Sequence, residues 1–93
     1  MSSSIDIQLG RRLRRRRRLI GLTQTELGAL CGLRFQQIQK YESAANKISA
    51  SMMVRLAKAL RVEVSYLYDG ISDDDLEPPR STGARPATQS RAA

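Results

Sequence analysis

Large apolar residues recur three or four positions apart through most of the first 70 residues of this chain, and no stretch alternates apolar and polar side chains over a convincing length. A spacing of three or four residues places side chains on one face of an α-helix, whereas a half-buried strand requires a period of two. The pattern therefore predicts an all-α fold without a sheet.

Signals for helix ends divide this stretch into short helices. Gly21 ends the first helix, because glycine readily adopts the left-handed conformation found just past a helix end. Thr23 and Glu26 have the spacing of a capping box, which starts a second helix that Gly32 ends. We expect five helices: residues 6–19, a second from the Thr23 cap to Gly32, residues 34–43, a fourth capped by Ser49 or Ser51, and a fifth around Val64, Leu67 and Tyr68 before Gly70.

The chain has 93 residues, no histidine and one cysteine. The length fits one small domain. Without histidine, the most common general base and the most common metal ligand are both missing. A lone cysteine forms no internal disulfide and no closed cysteine zinc site, so we expect Cys31 to be a small core residue. We therefore predict no enzymatic activity, no cofactor and no metal site, and infer no small-molecule ligand.

The charge is unevenly distributed along the chain. Residues 1–70 carry 13 basic and 5 acidic side chains, a net charge of +8, whereas residues 71–93 carry 3 basic and 4 acidic ones. Leu76 is the only large apolar residue after Ile71, and such a segment buries too little surface to offset the entropy of ordering. We predict one helical domain over residues 6–70 and a disordered tail over residues 71–93. A tail that binds a partner is the alternative.

The second and third helices are joined by the tight turn Gly32-Leu33, with apolar anchors on both sides. This arrangement is the sequence form of a helix-turn-helix. Many helical hairpins share it, but its combination with a strongly basic domain indicates binding to nucleic acid.

The third helix presents a polar outward face. If Ile38 points inward, Gln36 and Lys40 point away from the core, flanked by Gln37 and Gln39. Glutamine can pair with adenine and lysine with guanine in the major groove, so we expect contacts to bases, with an ordinary solvated face as the alternative. Phe35 can either pack against the second helix or touch a thymine methyl group.

Seven arginines crowd the first helix, at positions 11, 12 and 14–18. Such a cluster repels itself unless an anionic partner or counterions screen it. DNA backbone is the expected partner; RNA, an anionic membrane and a merely solvated basic face are the alternatives. No apolar run is long enough to span a bilayer and the N-terminus lacks a secretory pattern, so we expect a cytoplasmic protein without a membrane partner.

Residues 21–27, Gly-Leu-Thr-Gln-Thr-Glu-Leu, and the stretch from Gly32 to Glu42 resemble the lambda-repressor-like, or Cro-type, helix-turn-helix regulators. Residues 46–49, Asn-Lys-Ile-Ser, add a further match to a bacterial subgroup, and the resemblance covers roughly residues 8–70. It implies a compact five-helix domain whose third helix enters the major groove. It also implies a structural ion pair between Arg17 and Glu42.

The resemblance and the residue patterns together give a candidate site. We expect contacts to bases from Phe35, Gln36, Gln37, Gln39 and Lys40. We expect contacts to phosphate from Arg14, Arg18, Thr23, Gln24, Arg34, Ser43, Asn46, Lys47 and Ser49. One departure concerns the glycine that usually follows the last glutamate of the third helix, because this chain reads Ser43-Ala44-Ala45 there. Either Ala44 adopts a positive φ, at a cost of about 1 kcal/mol, or the helix runs on.

These features predict a sequence-specific regulator of transcription that binds double-stranded DNA, acts as a repressor and associates with the nucleoid. We expect a homodimer that uses Tyr66, Tyr68 and Ile71 at its interface, unless these residues only complete the core. The alternative is an antitoxin-type module that binds a toxin, through the run Asp73-Asp74-Asp75, and its own operator. Nonspecific binding to RNA or to the nucleoid is a third possibility.

Overall fold

The computed structural model describes residues 3–71, which form five α-helices and, within that range, no strand. The helices are α1 (Ser4–Leu19), α2 (Gln24–Cys31), α3 (Phe35–Glu42), α4 (Ala50–Ala59) and α5 (Val64–Tyr68). The expected all-α, five-helix fold is confirmed, and α1 begins two residues earlier than predicted, at Ser4. Apart from Ile71, the predicted tail over residues 71–93 lies outside the described residues.

Side chains close to the helix ends fix where the helices begin. The Thr23 hydroxyl accepts a hydrogen bond from the Glu26 amide at 3.0 Å, and the Glu26 carboxylate accepts one from the Thr23 amide at 2.8 Å. This is the predicted capping box, and Ser3 with Asp6 forms a second one at the start of α1. Ser49 is the cap of α4, with its hydroxyl 3.1 Å from the Met52 amide. Local sequence therefore determines most of these boundaries.

An aliphatic core joins all five helices. Leu13, Leu27, Ile38, Leu56 and Leu67 each come from a different helix, and none is more than 1% exposed. Full burial of such a side chain stabilises a fold by about 1.5–3 kcal/mol, so these core side chains are the main source of the domain's stability. Cys31 is also buried, as predicted, and burial raises the pKa of its thiol. No helix in the described range is long and apolar enough to cross a bilayer.

Helix α1 crosses the C-terminal end of α3 at Gly10, where the two backbones are in close contact. A Cβ atom at Gly10 would lie 2.6 Å from the Glu42 carbonyl oxygen and 2.7 Å from that of Tyr41. Both obstacles are backbone atoms, which cannot rotate away as the end of a side chain can. Gly10 therefore sets the distance between α1 and α3.

We expect Gly10→Ala to destabilise the domain by about 1–3 kcal/mol, because the added methyl group must push the two helices apart. Helix propensity alone predicts the opposite sign, a gain of about 1 kcal/mol. Urea denaturation followed by circular dichroism measures the difference. Arg11→Ala, on the exposed neighbouring residue, is the control and should change stability little; a Gly10→Ala variant more stable than wild type would contradict the close contact.

Candidate nucleic-acid interface

The turn between α2 and α3 sets the position of the outward face of α3. Gly32 ends α2 in the left-handed conformation, with a φ of 72°, and the Leu33 amide donates to the Gly28 carbonyl at 2.8 Å. Ile38 and Tyr41 are buried against the rest of the domain. Ile38 thus points inward, which is the orientation on which the predicted outward face of α3 depends.

Five side chains of α3 were expected to contact bases. Gln36, Gln39 and Lys40 are exposed, and Gln37 is half-buried. Phe35 is 43% exposed, so its ring is accessible from outside the domain. The one carboxylate of α3, that of Glu42, is turned inward and is 4% exposed. The outward face of α3 is thus polar, with one cation and no anion.

Gln37 is held by the loop that follows α3. Its side-chain amide donates to the Asn46 side-chain oxygen at 3.3 Å, and the Asn46 amide group donates to the Ala45 carbonyl at 3.2 Å. The structure thus joins a residue expected to contact bases to one expected to contact phosphate. This contact orients both side chains before any ligand arrives.

Ala44 has a φ of 65° and is buried, so the first of the two alternatives for this position is the one found. Ala44 therefore adopts the left-handed backbone conformation that glycine adopts without strain, and for alanine this conformation costs about 1 kcal/mol. The amides of Ala45 and Asn46 both donate to the Lys40 carbonyl, at 2.9 and 3.2 Å. The start of the loop after α3 therefore folds back against the last turns of that helix.

A buried polar network connects α1, α2 and α3. Arg17 donates from Nε to Glu42 Oε2 at 2.6 Å and from Nη2 to Glu42 Oε1 at 3.0 Å. The third arginine nitrogen donates to the Leu22 carbonyl at 2.8 Å, and the two side chains are 10% and 4% exposed. The structure thus places the expected pair in a bidentate contact, the strongest geometry for arginine and carboxylate.

Gln24 belongs to the same network, which the sequence did not indicate. Its side-chain amide donates to Glu42 Oε1 at 3.1 Å. Because an amide group has two hydrogens, the second is available to an outside acceptor. The residue expected to contact phosphate is thus oriented by the ion pair behind it.

Several of the other residues expected to contact phosphate make contacts within the domain. Thr23 and Ser49 use their hydroxyl oxygens as helix caps, and the Ser43 hydroxyl donates to the Lys40 carbonyl at 3.3 Å. Arg34 is the N-cap residue of α3, without a side-chain cap bond. Arg14 and Arg18 are exposed on α1, and among the described residues no carboxylate lies within salt-bridge distance of either.

Lys47 forms an ion pair that the sequence did not reveal. Its Nζ lies 2.8 Å from Asp6 Oδ2, while the lysine side chain stays 79% exposed. The hydrogen bond from Lys47 is the main reason that the pKa of Asp6 lies below its ordinary value, and hydrogen bonds from Ser3 act in the same direction. The two residues are far apart in sequence, so no local pattern could have indicated the pair.

The arginines of α1 do not form one continuous cluster. Arg12 donates to the Tyr66 carbonyl at 2.7 Å, and Arg16 donates to the Leu60 carbonyl at 3.0 Å. Both guanidinium groups also lie over the Tyr66 ring, at 5.9 and 5.7 Å from its centre. With Arg17, three of the seven arginines therefore serve the fold itself. Tyr66 is covered by them, whereas Tyr68 is 51% exposed.

Known proteins of similar sequence include helix-turn-helix regulators, as the arrangement of α2 and α3 indicates. Residues 13–67 match the helix-turn-helix family HTH_3. An uncharacterized HTH-type transcriptional regulator, y4aM of Sinorhizobium fredii, is 40% identical over 73 residues, which are 78% of this chain and 51% of the relative. An uncharacterized transcriptional regulator in the ATPase CF(0) region of Rhodospirillum rubrum is 42% identical over 84 residues, or 90% and 75% of the two chains. The chain spans about half the length of the first relatives that it matches.

Two solved structures have the same fold. The restriction-modification controller protein C.AhdI of Aeromonas hydrophila is 33% identical, with a TM-score of 0.64, over 66% of this chain and 92% of that one. The P22 c2 repressor, crystallised with a synthetic operator, is 29% identical, with a TM-score of 0.62, over 67% and 94% of the two chains. The fold is therefore lambda-repressor-like, and the chain belongs to the helix-turn-helix family of DNA-binding transcriptional regulators.

Proposed function

We propose that this protein is a sequence-specific repressor that inserts α3 into the major groove of double-stranded DNA. The observation that carries the proposal is the outward face of α3, where Gln36, Gln39 and Lys40 are exposed without a carboxylate among them. In this arrangement Gln36 pairs with adenine and Lys40 with guanine, while Phe35, Gln37 and Gln39 contact neighbouring base edges. The repressor role is supported by likeness to the P22 c2 repressor.

Phosphate contacts on both sides of α3 fix its orientation in the groove. On one side, Gln24 and the first amides of α2 receive a phosphate, as the N-terminus of a helix favours an anion. On the other, Asn46, Lys47 and Ser49 follow the turn at Ala44. The remaining proposed contacts come from Arg14, Arg18, Thr23, Arg34 and Ser43. The Arg17–Glu42 pair holds the three helices in register without contacting DNA.

We further propose that the protein is a homodimer. It acts in the cytoplasm, bound to the nucleoid, and has no catalytic activity. Two copies of α3 about 34 Å apart meet successive turns of the major groove on one side of the duplex. Tyr68, half exposed, and Ile71 are the proposed interface residues, since Tyr66 is covered by two arginines. The antitoxin alternative rests on residues 73–75, which lie outside the described range, and nothing in residues 3–71 favours it.

Selection of binding sites from a pool of random duplexes tests the proposal. We expect a palindromic consensus with half-sites about ten base pairs apart. Enrichment of no sequence would refute sequence-specific recognition, and enrichment of a single half-site would refute the dimer.

Lys40→Ala and Gln36→Ala are each expected to weaken binding to the selected site by about 1–3 kcal/mol and to relax the preference at one base pair. Fluorescence anisotropy with the selected site and with unrelated duplex measures the difference. Lys58→Ala removes the same charge from the exposed surface of α4 and is the control. Equal loss of affinity for both duplexes in the α3 variants would show that these side chains do not contact bases.

A further inference from the structure

Four arginines of α1 line one depression on the surface of the domain. Arg11, Arg14, Arg15 and Arg18 are exposed and surround it together with Leu19, which is 70% exposed. We call this surface the arginine face. Among residues 3–71, no carboxylate lies within salt-bridge distance of its four cations. The face therefore combines four positive charges with one exposed apolar side chain.

The charges of the arginine face oppose one another. Arg11 and Arg15 are four residues apart, as are Arg14 and Arg18, and like charges at that spacing weaken a helix. An occupant that brings carboxylates would relieve this repulsion. An acidic segment that also carries one large apolar residue would match both the charge of the face and its exposed Leu19.

The chain itself contains such a segment just after the described residues. Residues 73–77 read Asp-Asp-Asp-Leu-Glu, which gives four carboxylates and one leucine. In an extended conformation, the distance from residue 73 to residue 77 is about 14 Å. Arg11 and Leu19 are separated by about 12 Å along α1. The segment therefore matches the arginine face in charge, in apolar content and in length.

The end of α5 brings this segment close to the arginine face. The side chain of Arg12 donates to the Tyr66 carbonyl, so α5 packs beside Arg12. At about 100° per residue, Leu19 and Arg15 lie about 20° and 60° around α1 from Arg12, and the face thus borders the side of α1 that contacts α5. Residues 73–77 follow Ile71 at up to about 7–21 Å of extended chain, which is enough to reach it.

We propose that residues 73–77 dock on the arginine face of their own chain when no DNA is bound, and that the DNA backbone displaces them. Carboxylate and phosphate groups accept the same pair of hydrogen bonds from a guanidinium group, so the segment and the backbone compete for the same side chains. The displacement rests on the proposed function, in which Arg14 and Arg18 contact phosphate. The docking does not depend on it.

Paramagnetic relaxation enhancement in the full chain measures the docking. A spin label on a P78C variant lies next to the segment without replacing any of its residues. Cys31 stays unlabelled, because it is 5% exposed and burial raises the pKa of its thiol. We expect the amide signals of residues 11–19 to broaden in the free protein, and to sharpen again when high salt screens the exposed charges.

Matched variants separate charge pairing from mere attachment to the same chain. D73N/D74N/D75N/E77Q keeps the length of the segment and removes its carboxylates, so the broadening should be lost. Each exposed ion pair shifts an equilibrium by about 1.4- to 5-fold, so R11Q/R15Q should lower the ratio of docked to undocked chains by about 2- to 30-fold. R55Q/K58Q removes two exposed cations beside a basic groove at Leu30 and is the control that should keep the broadening.

Several outcomes would overturn the docking. They are an absence of broadening in the wild-type background, equal broadening in D73N/D74N/D75N/E77Q, and broadening around Leu30 in place of residues 11–19. A spin-labelled chain mixed with an unlabelled, isotopically enriched one gives a further check. Broadening of the enriched chain would place the segment on a second copy and overturn docking within one chain. Circular dichroism checks that R11Q/R15Q is folded, as expected when two like charges are removed.

Addition of the selected duplex tests the displacement. We expect the signals of residues 11–19 to sharpen as DNA binds, with binding followed by fluorescence anisotropy. Bound DNA with unchanged broadening would overturn the displacement and leave the proposed function intact. Failure of the duplex to bind would refute the proposed function, and the displacement with it, whereas the docking is measured in the free protein.

Discussion

Replacing Glu42 with alanine is expected to lower the free energy of unfolding by about 3–5 kcal/mol. The substitution leaves the Arg17 guanidinium 10% exposed with no carboxylate beside it, and Gln24 loses its acceptor. A domain of this size has a total stability of about 3–10 kcal/mol, so the substitution should remove roughly half of it and lower the urea concentration at the unfolding midpoint by a similar fraction. Urea denaturation, followed by circular dichroism and started in a stabilising osmolyte, measures the loss.

A double variant, R17M/E42L, distinguishes two contributions to this loss of stability. One is the cost of leaving the Arg17 charge buried without its partner, and the other is the stabilisation that the ion pair itself provides. Replacing both members of a buried ion pair with apolar residues of similar size is often neutral, whereas removing one is costly. We expect the double variant to recover most of the stability but not all, because Arg17 also donates to the Leu22 carbonyl. A single Glu42→Ala variant that loses less than about 1 kcal/mol would show that the pair behaves like an exposed one.

The helices could be predicted from sequence because their signals are local. The capping box at Thr23 and Glu26 and the glycine at position 32 each act within a few residues, and the structure has both. The outward face of α3 followed from helical geometry once Ile38 was turned inward. The ion pair between Arg17 and Glu42 was different, since only the resemblance to a known family indicated it.

The roles of individual arginines could not be predicted in the same way. Arg12 and Arg16 bond to carbonyl groups of Tyr66 and Leu60, more than 40 residues away, and those contacts depend on how α4 and α5 pack against α1. From sequence, seven arginines in eight positions look equivalent. Only the packing divides them into three that stabilise the fold and four that remain exposed.

The affinity for duplex DNA is expected to fall about 10⁴-fold between 50 and 200 mM salt. Four of the proposed phosphate contacts are cations, namely Arg14, Arg18, Arg34 and Lys47, so a dimer has eight. Each phosphate neutralised by a cation contributes about −0.9 to the slope of log K against log salt, which gives a slope of about −7. Anisotropy titrations with the selected site at several salt concentrations measure it.

The same slope distinguishes a dimer from a monomer. A monomer with four contacts has a slope of about −3.6, and its affinity falls only about 150-fold over that range of salt concentration.

Lys47→Ala gives an internal check of the number of subunits bound. It removes one phosphate contact from a monomer and should reduce the steepness of the slope by about 1, whereas it removes two from a dimer and should reduce it by about 2. Lys58→Ala, on the exposed side of α4, should leave the slope unchanged. A slope that Lys47→Ala does not alter would mean that this lysine neutralises no phosphate, and Lys47 would then have to be removed from the proposed interface.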